Sequence, residues 1–164
     1  MVDVSGKQPT VRVATAQCQI SMNTEAYTAL RERTLVKGDA IAMAEVAGLM
    51  ASKKTSELIP LCHQIALDYS KIKVLWDKDK DKESERDTQT VTIQCTTQVT
   101  DKTGCEMESL VGATMAALTI YDMCKSLDKF MVVGGARLLS KTGGKSGDVR
   151  ADQSCDGKYN QTRF

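Results

Sequence analysis

The feature that most narrows the fold is a strict alternation between residues 91 and 99. Val91, Ile93, Cys95, Thr97 and Val99 alternate with Thr92, Gln94, Thr96 and Gln98. Successive strand side chains point to opposite faces, so this pattern predicts a half-buried strand. Ala14, Ala16, Cys18, Ile20 and Met22 repeat the pattern, predicting a second. Ile72, Val74 and Trp76 alternate with Lys71 and Lys73, predicting a third. The run Asp77–Asp87 carries six acids, four bases and no apolar residue. It reads as the solvated loop of an antiparallel hairpin between the strands on either side.

Helical signals fall between these strands. Asn23 or Thr24 can cap a short helix through about Arg33. Lys37-Gly38-Asp39 then interrupts the chain, and Asp39 can cap an Ala- and Met-rich helix from about Ile41 to Lys53-Lys54. Pro60 makes Leu58–His63 a turn or irregular segment. A turn at Asp101–Gly104 precedes a long helix expected from about Ser109 to Asp128. Met131–Leu139 reads as a final strand. The residues from about Ala151 onward are polar and aperiodic. Strands and helices segregated in this way argue an α+β fold, with an antiparallel sheet and helices packed on one face. The organisation expected is one domain over residues 1–150 and a polar tail over 151–164.

Composition excludes several classes. Formal net charge is +1, which argues against non-specific nucleic-acid or membrane binding. No apolar run is long enough to span a bilayer, and Met1–Lys7 lacks the apolar core of a secretory signal. The six cysteines show no C-x-x-C or zinc spacing and read as reduced thiols of a cytoplasm-like compartment. His63 is the one histidine, so a multi-histidine metal centre is ruled out.

Candidate chemistry lies in four places. Asp122 and Lys125 share a helix face at i, i+3, in line with Met115 and Leu118. They form either a structural pair or an acid–base pair held in a cleft. Cys62-His63 follows Pro60, and histidine can bind or shuttle protons near neutral pH. Glu106-Met107-Glu108, if extended, points two carboxylates the same way, suiting the N–H edge of a guanine-like or pterin-like ring. It can equally crown a helix N-terminus. Lys141-Thr-Gly-Gly-Lys145-Ser-Gly147 is a basic, glycine-rich loop suited to an anion. It fails as a Walker A motif because Leu139 occupies the first glycine position. Lys37, Lys53, Lys54 and Arg12 add cations that could converge on a polyphosphate.

The runs Met1-Val-Asp-Val-Ser5, Lys37-Gly-Asp39, Leu58-Ile-Pro-Leu-Cys-His63 and Thr103-Gly-Cys-Glu-Met-Glu108 closely resemble the MoaC family of molybdenum cofactor biosynthesis. So do Ala116–Lys125 and Arg137–Asp148, in the same order. The resemblance covers Met1 to about Asp148. It implies a ferredoxin-like α+β fold and a homo-hexamer built as a trimer of dimers, with active sites at subunit interfaces. It implies a phosphorus–oxygen lyase in the cytoplasm, or in the mitochondrial matrix of a eukaryote. The substrate implied is 3′,8-cyclo-7,8-dihydroguanosine 5′-triphosphate, supplied by a radical-SAM enzyme, and the products are cyclic pyranopterin monophosphate and pyrophosphate. Asp122 matches the family's catalytic aspartate and Lys125 its partner lysine. Leu61, Cys62, His63, Met107 and Glu108 match substrate-binding stretches. Glu106, Lys37, Lys53, Arg12, Lys141 and Lys145 fall in motifs lining the same pocket. No cofactor is named, and a Mg²⁺ requirement stays open.

The chain departs from the family pattern at Ser56, where tryptophan is common, at Gln64, where proline is frequent, and at Cys105. Two other classes compete. An RNA-binding ferredoxin-like module would need exposed sheet aromatics, and Phe130 and Phe164 sit in no such strand motif. A relative that binds a pterin or nucleotide without turnover would differ in releasing no pyrophosphate.

Overall fold

The computed structural model describes residues 1–76, 88–145 and 147–151. The expected charged loop 77–87 and the tail from residue 152 onward lie outside them.

The order of elements is β1 (Thr10–Asn23), α1 (Thr24–Glu32), α2 (Ala40–Lys53), α3 (Thr55–Leu58), β2 (Tyr69–Trp76), β3 (Thr88–Asp101), α4 (Glu106–Cys124), β4 (Val132–Thr142) and β5 (Val149–Arg150). The strands form one sheet in the order β2-β3-β1-β4-β5, and every neighbouring pair is antiparallel. This is the expected α+β fold in a ferredoxin-like arrangement.

The alternation sets the register. Ala16 faces Cys95, Cys18 faces Ile93 and Ile20 faces Val91, and all six side chains are buried. The opposite face is polar. Thr15 hydrogen-bonds Thr96 at 2.9 Å and Ser21 hydrogen-bonds Thr90 at 2.9 Å. The helices α2 and α4 pack on each other, and α4 covers β1, β3 and β4. Their crossing is close because two glycines meet: a Cβ on Gly48 would stand 2.8 Å from the Gly112 carbonyl oxygen. Trp76 packs edge-to-face on Tyr27, with centroids 5.4 Å apart.

The caps follow the sequence. Asn23 Oδ1 accepts from Ala26 N at 2.8 Å. Asp39 Oδ1 accepts from Ile41 N and Ala42 N at 3.0 and 3.1 Å, satisfying amides that the first helical turn leaves open. The bounds of the long helix need correction, and of the two readings of Glu106–Glu108 the helix N-terminus is the one observed. The long helix begins at Glu106 and ends at Cys124, so Glu106–Glu108 is its first turn and not an extended segment. Acids in a first turn are stabilised by the positive end of the helix dipole. The short elements α3 and β5 are also additions to the sequence reading.

Both long helices are apolar nearly all round. Met43, Val46 and Met50 on α2 and Leu118 on α4 are exposed although their opposite faces are buried. No helix among the described residues is long and apolar enough to cross a membrane.

Candidate active site

One candidate cluster lies at the start of α4. The β3–α4 turn, the segment after α3 and residues 1–7 converge there around a cleft of about 360 Å³. Leu61, Cys62 and His63 form one wall, and Glu106, Met107 and Glu108 form another. The cleft therefore brings together the two stretches that the sequence pointed to separately. Val2, Val4, Lys7, Thr103 and Gly104 complete the lining and were not singled out as site residues. The Met1–Ser5 run was noted in the resemblance, but valines in a coil carry no chemical signature.

The two carboxylates differ in setting. Glu106 is half-exposed and pairs with Lys141 Nζ at 3.0 Å. Glu108 is only 4% exposed. Burial, reinforced by the negative charge of Glu106, pushes its carboxyl up to about 7. It can therefore donate or accept a proton near neutral pH. Cys62 is partly exposed, and its thiol is raised by burial and then by Glu108, the reverse of an activated thiolate.

Beside the cleft, Arg12, Gly143, Lys141 and Glu106 line a smaller recess. Arg12 is fixed by the carbonyls of Asp101 and Lys102, which accept from Nε and Nη2 at 3.0 and 3.2 Å. Gly143 and Gly144 have φ of +82° and +76°, which side chains rarely tolerate. A Cβ on Gly143 would collide with the Val11 carbonyl, and one on Gly144 with the Arg12 guanidinium. The loop's glycines let it lie against β1 next to Arg12. Gly143 N donates to Asp148 Oδ1 at 3.2 Å. Lys53, in the last turn of α2, and Lys145 are exposed and stand outside the lining of both cavities.

A second candidate cluster lies at the other end of α4. Asp122 Oδ1 is 2.7 Å from Lys125 Nζ, and Asp122 Oδ2 is 2.8 Å from Lys37 Nζ. Lys37 also donates to the Asp122 carbonyl at 2.8 Å. The loop before α2 carries Lys37 here because α2 runs antiparallel to α4. Hydrogen bonds from Lys125 and Lys37 hold the Asp122 carboxyl down at about 2. The same contact with Asp122 raises Lys125. The cluster is open to solvent, with Asp122 57% exposed. Lys37 thus sits with Asp122 and not with Arg12, Lys141 and Lys145. Among the described residues, no group of three His, Cys, Asp or Glu side chains is placed to hold a metal ion.

Comparison with known proteins identifies the family. The model of the MoaC family matches residues 1–144. A cyclic pyranopterin monophosphate synthase of Geobacillus sp. is 44% identical over 159 residues, covering 97% of this chain and 90% of its own length. The protein of that name from Brevibacillus brevis is 49% identical over 148 residues, covering 90% and 87%. The one from Pelobacter propionicus is 45% identical over 153 residues, covering 93% and 91%. A family match over most of the chain and identities of this level place the sequence without ambiguity: it belongs to the MoaC family.

Proposed function

We propose that this protein is a cyclic pyranopterin monophosphate synthase. On this reading it converts 3′,8-cyclo-7,8-dihydroguanosine 5′-triphosphate, made by a radical-SAM enzyme, into cyclic pyranopterin monophosphate and pyrophosphate. The observation that carries the reading is the division of the site between the two ends of α4. One end offers carboxylates beside a cleft of about 360 Å³, the size of a small-ligand pocket. Glu106 and Glu108 suit the N–H edge of a guanine-derived ring. Arg12 and Lys141, next to the cleft, suit phosphate oxygens.

The other end supplies proton chemistry. Asp122, held at about 2, is too weak a base to take a proton near neutral pH. Its role is to hold two ammonium groups in place. Lys125, raised by Asp122, rests as an ammonium and acts as the acid, giving a proton to a ring nitrogen or an oxygen as a bond to it breaks. Closing the cyclic phosphate requires a substrate hydroxyl oxygen to attack the α-phosphorus, its proton passing to the departing pyrophosphate. The bond from that phosphorus to the bridging oxygen then breaks, pyrophosphate leaves, and the lysines stabilise its charge.

Sixteen residues separate Glu106 from Asp122, about 24 Å at 1.5 Å per residue. One chain therefore cannot apply both ends to one substrate. A two-fold contact through the exposed apolar sides of α2 and α4 would bring the Asp122 end of one copy to the Glu106 end of another. The uncovered Met43, Val46, Met50 and Leu118 support such a contact. Three such dimers make the homo-hexamer that the family resemblance implies.

The test is to incubate purified protein with the cyclised dihydro-GTP intermediate and follow both products by mass spectrometry. Formation of cyclic pyranopterin monophosphate with an equal amount of pyrophosphate is expected. Tight binding with neither product would replace the synthase with a binding protein.

A further inference from the structure

Residues 1–7 line the cleft through Val2, Val4 and Lys7 and belong to no strand of the sheet. Val2 and Val4 face the same space as Leu61 and Met107. The segment keeps its shape by a tight turn, in which Lys7 N donates to the Val4 carbonyl at 3.1 Å and Ser5 N donates to Asp3 Oδ1 at 2.8 Å. Two side chains tie it to the rest of the molecule. His63 Nε2 lies 2.8 Å from the Val2 carbonyl oxygen, and Lys102 Nζ donates to the Ser5 carbonyl at 2.9 Å. A carbonyl only accepts, so Nε2 must carry the proton. Nε2 of this cleft-lining histidine is thus engaged by the segment's backbone.

We infer that Met1–Lys7 is a strap over the substrate cleft and that His63 is its fastening, a positioning residue and not the proton carrier that a lone histidine suggests. A coil held by two side-chain hydrogen bonds opens at low cost. It can let a planar heterocycle enter and then close Val2 and Val4 over its face, excluding water. Lys102 performs the same fastening but does not line the cleft, so it separates strap-holding from contact with substrate.

Hydrogen–deuterium exchange of the assembled protein tests the strap without substrate. His63→Ala and Lys102→Ala should each speed exchange at residues 3–7 by about tenfold, the scale of one lost hydrogen bond, while α4 stays protected. His63→Gln, which retains a donor, should restore most of the protection. The kinetic arm rests on the synthase reading. There both alanine variants should raise KM by about tenfold with kcat within about threefold. Unchanged exchange at residues 3–7 in both variants overturns the strap. So does a kcat loss of about 100-fold in His63→Ala and His63→Gln that Lys102→Ala does not share, since the imidazole then acts on substrate. If wild-type protein turns over nothing, the synthase reading fails and the exchange data still decide the strap.

Discussion

Glu106 opens α4 and Asp122 lies in its last turn, about 24 Å away along the axis; Glu106 pairs with Lys141 at 3.0 Å, and Asp122 with Lys125 at 2.7 Å and Lys37 at 2.8 Å. The distance divides the chemistry. On the proposed reading the ring is recognised at the start of α4 and the Lys125 acid stands at its end, with an uncovered apolar surface between.

Lys125→Ala should lower kcat by about 10²–10⁴-fold, the usual worth of a positioned acid, and Asp122→Asn, which releases that ammonium from its place, should lower it in the same direction. Both should leave assembly and melting behaviour nearly unchanged, because the pair is exposed. Lys37→Ala removes one of two ammonium partners, so the Asp122 carboxyl should rise from about 2 toward its ordinary value. Carbon-13 NMR titration of the aspartate carboxyl measures this directly.

Glu108 makes stability depend on pH. Its carboxyl is raised from 4.5 to about 7 on folding, so between those values the folded state keeps a proton that the unfolded chain has lost. This contribution is fully favourable below 4.5 and falls away as pH rises through 7. Glu108→Gln should therefore match the wild type near pH 4.5 and exceed its stability at pH 8 by on the order of 1–3 kcal/mol. Urea unfolding at the two pH values checks the sign.

Strands and caps were legible in the sequence because each rests on a local rule. A sheet covered on one face writes a period of two, and Asn23 and Asp39 announce themselves by position. The start of α4 was misread because Glu106 and Glu108 interrupt the apolar period that marks a helix interior. Neither the contact of Lys37 with Asp122 nor the place of residues 1–7 at the cleft follows from periodicity, although both runs carry the family resemblance. Both depend on which chain ends the topology brings together, and periodicity does not encode that. The separation of Glu106 from Asp122 could have been read from their spacing on one helix, once both were placed on it.

Gly48→Val should cost about 2–4 kcal/mol, since an added side chain meets both Gly112 and Ile72 and a packed crossing must open. Differential scanning calorimetry reads the loss.

Met50→Glu places a charge on the uncovered face of α2. It should dissociate the assembly toward monomer in sedimentation velocity and abolish turnover, while the circular dichroism spectrum stays that of the native fold.

The most direct test of a site shared between two copies is subunit mixing. Asp122→Asn and Glu106→Ala chains, each inactive alone, are unfolded together in equal amounts, refolded and assayed for pyrophosphate release. Random pairing makes half the dimers mixed, and one of the two sites in each mixed dimer is intact, so about a quarter of wild-type turnover should return. A mixture no more active than its two parents would contradict the shared site.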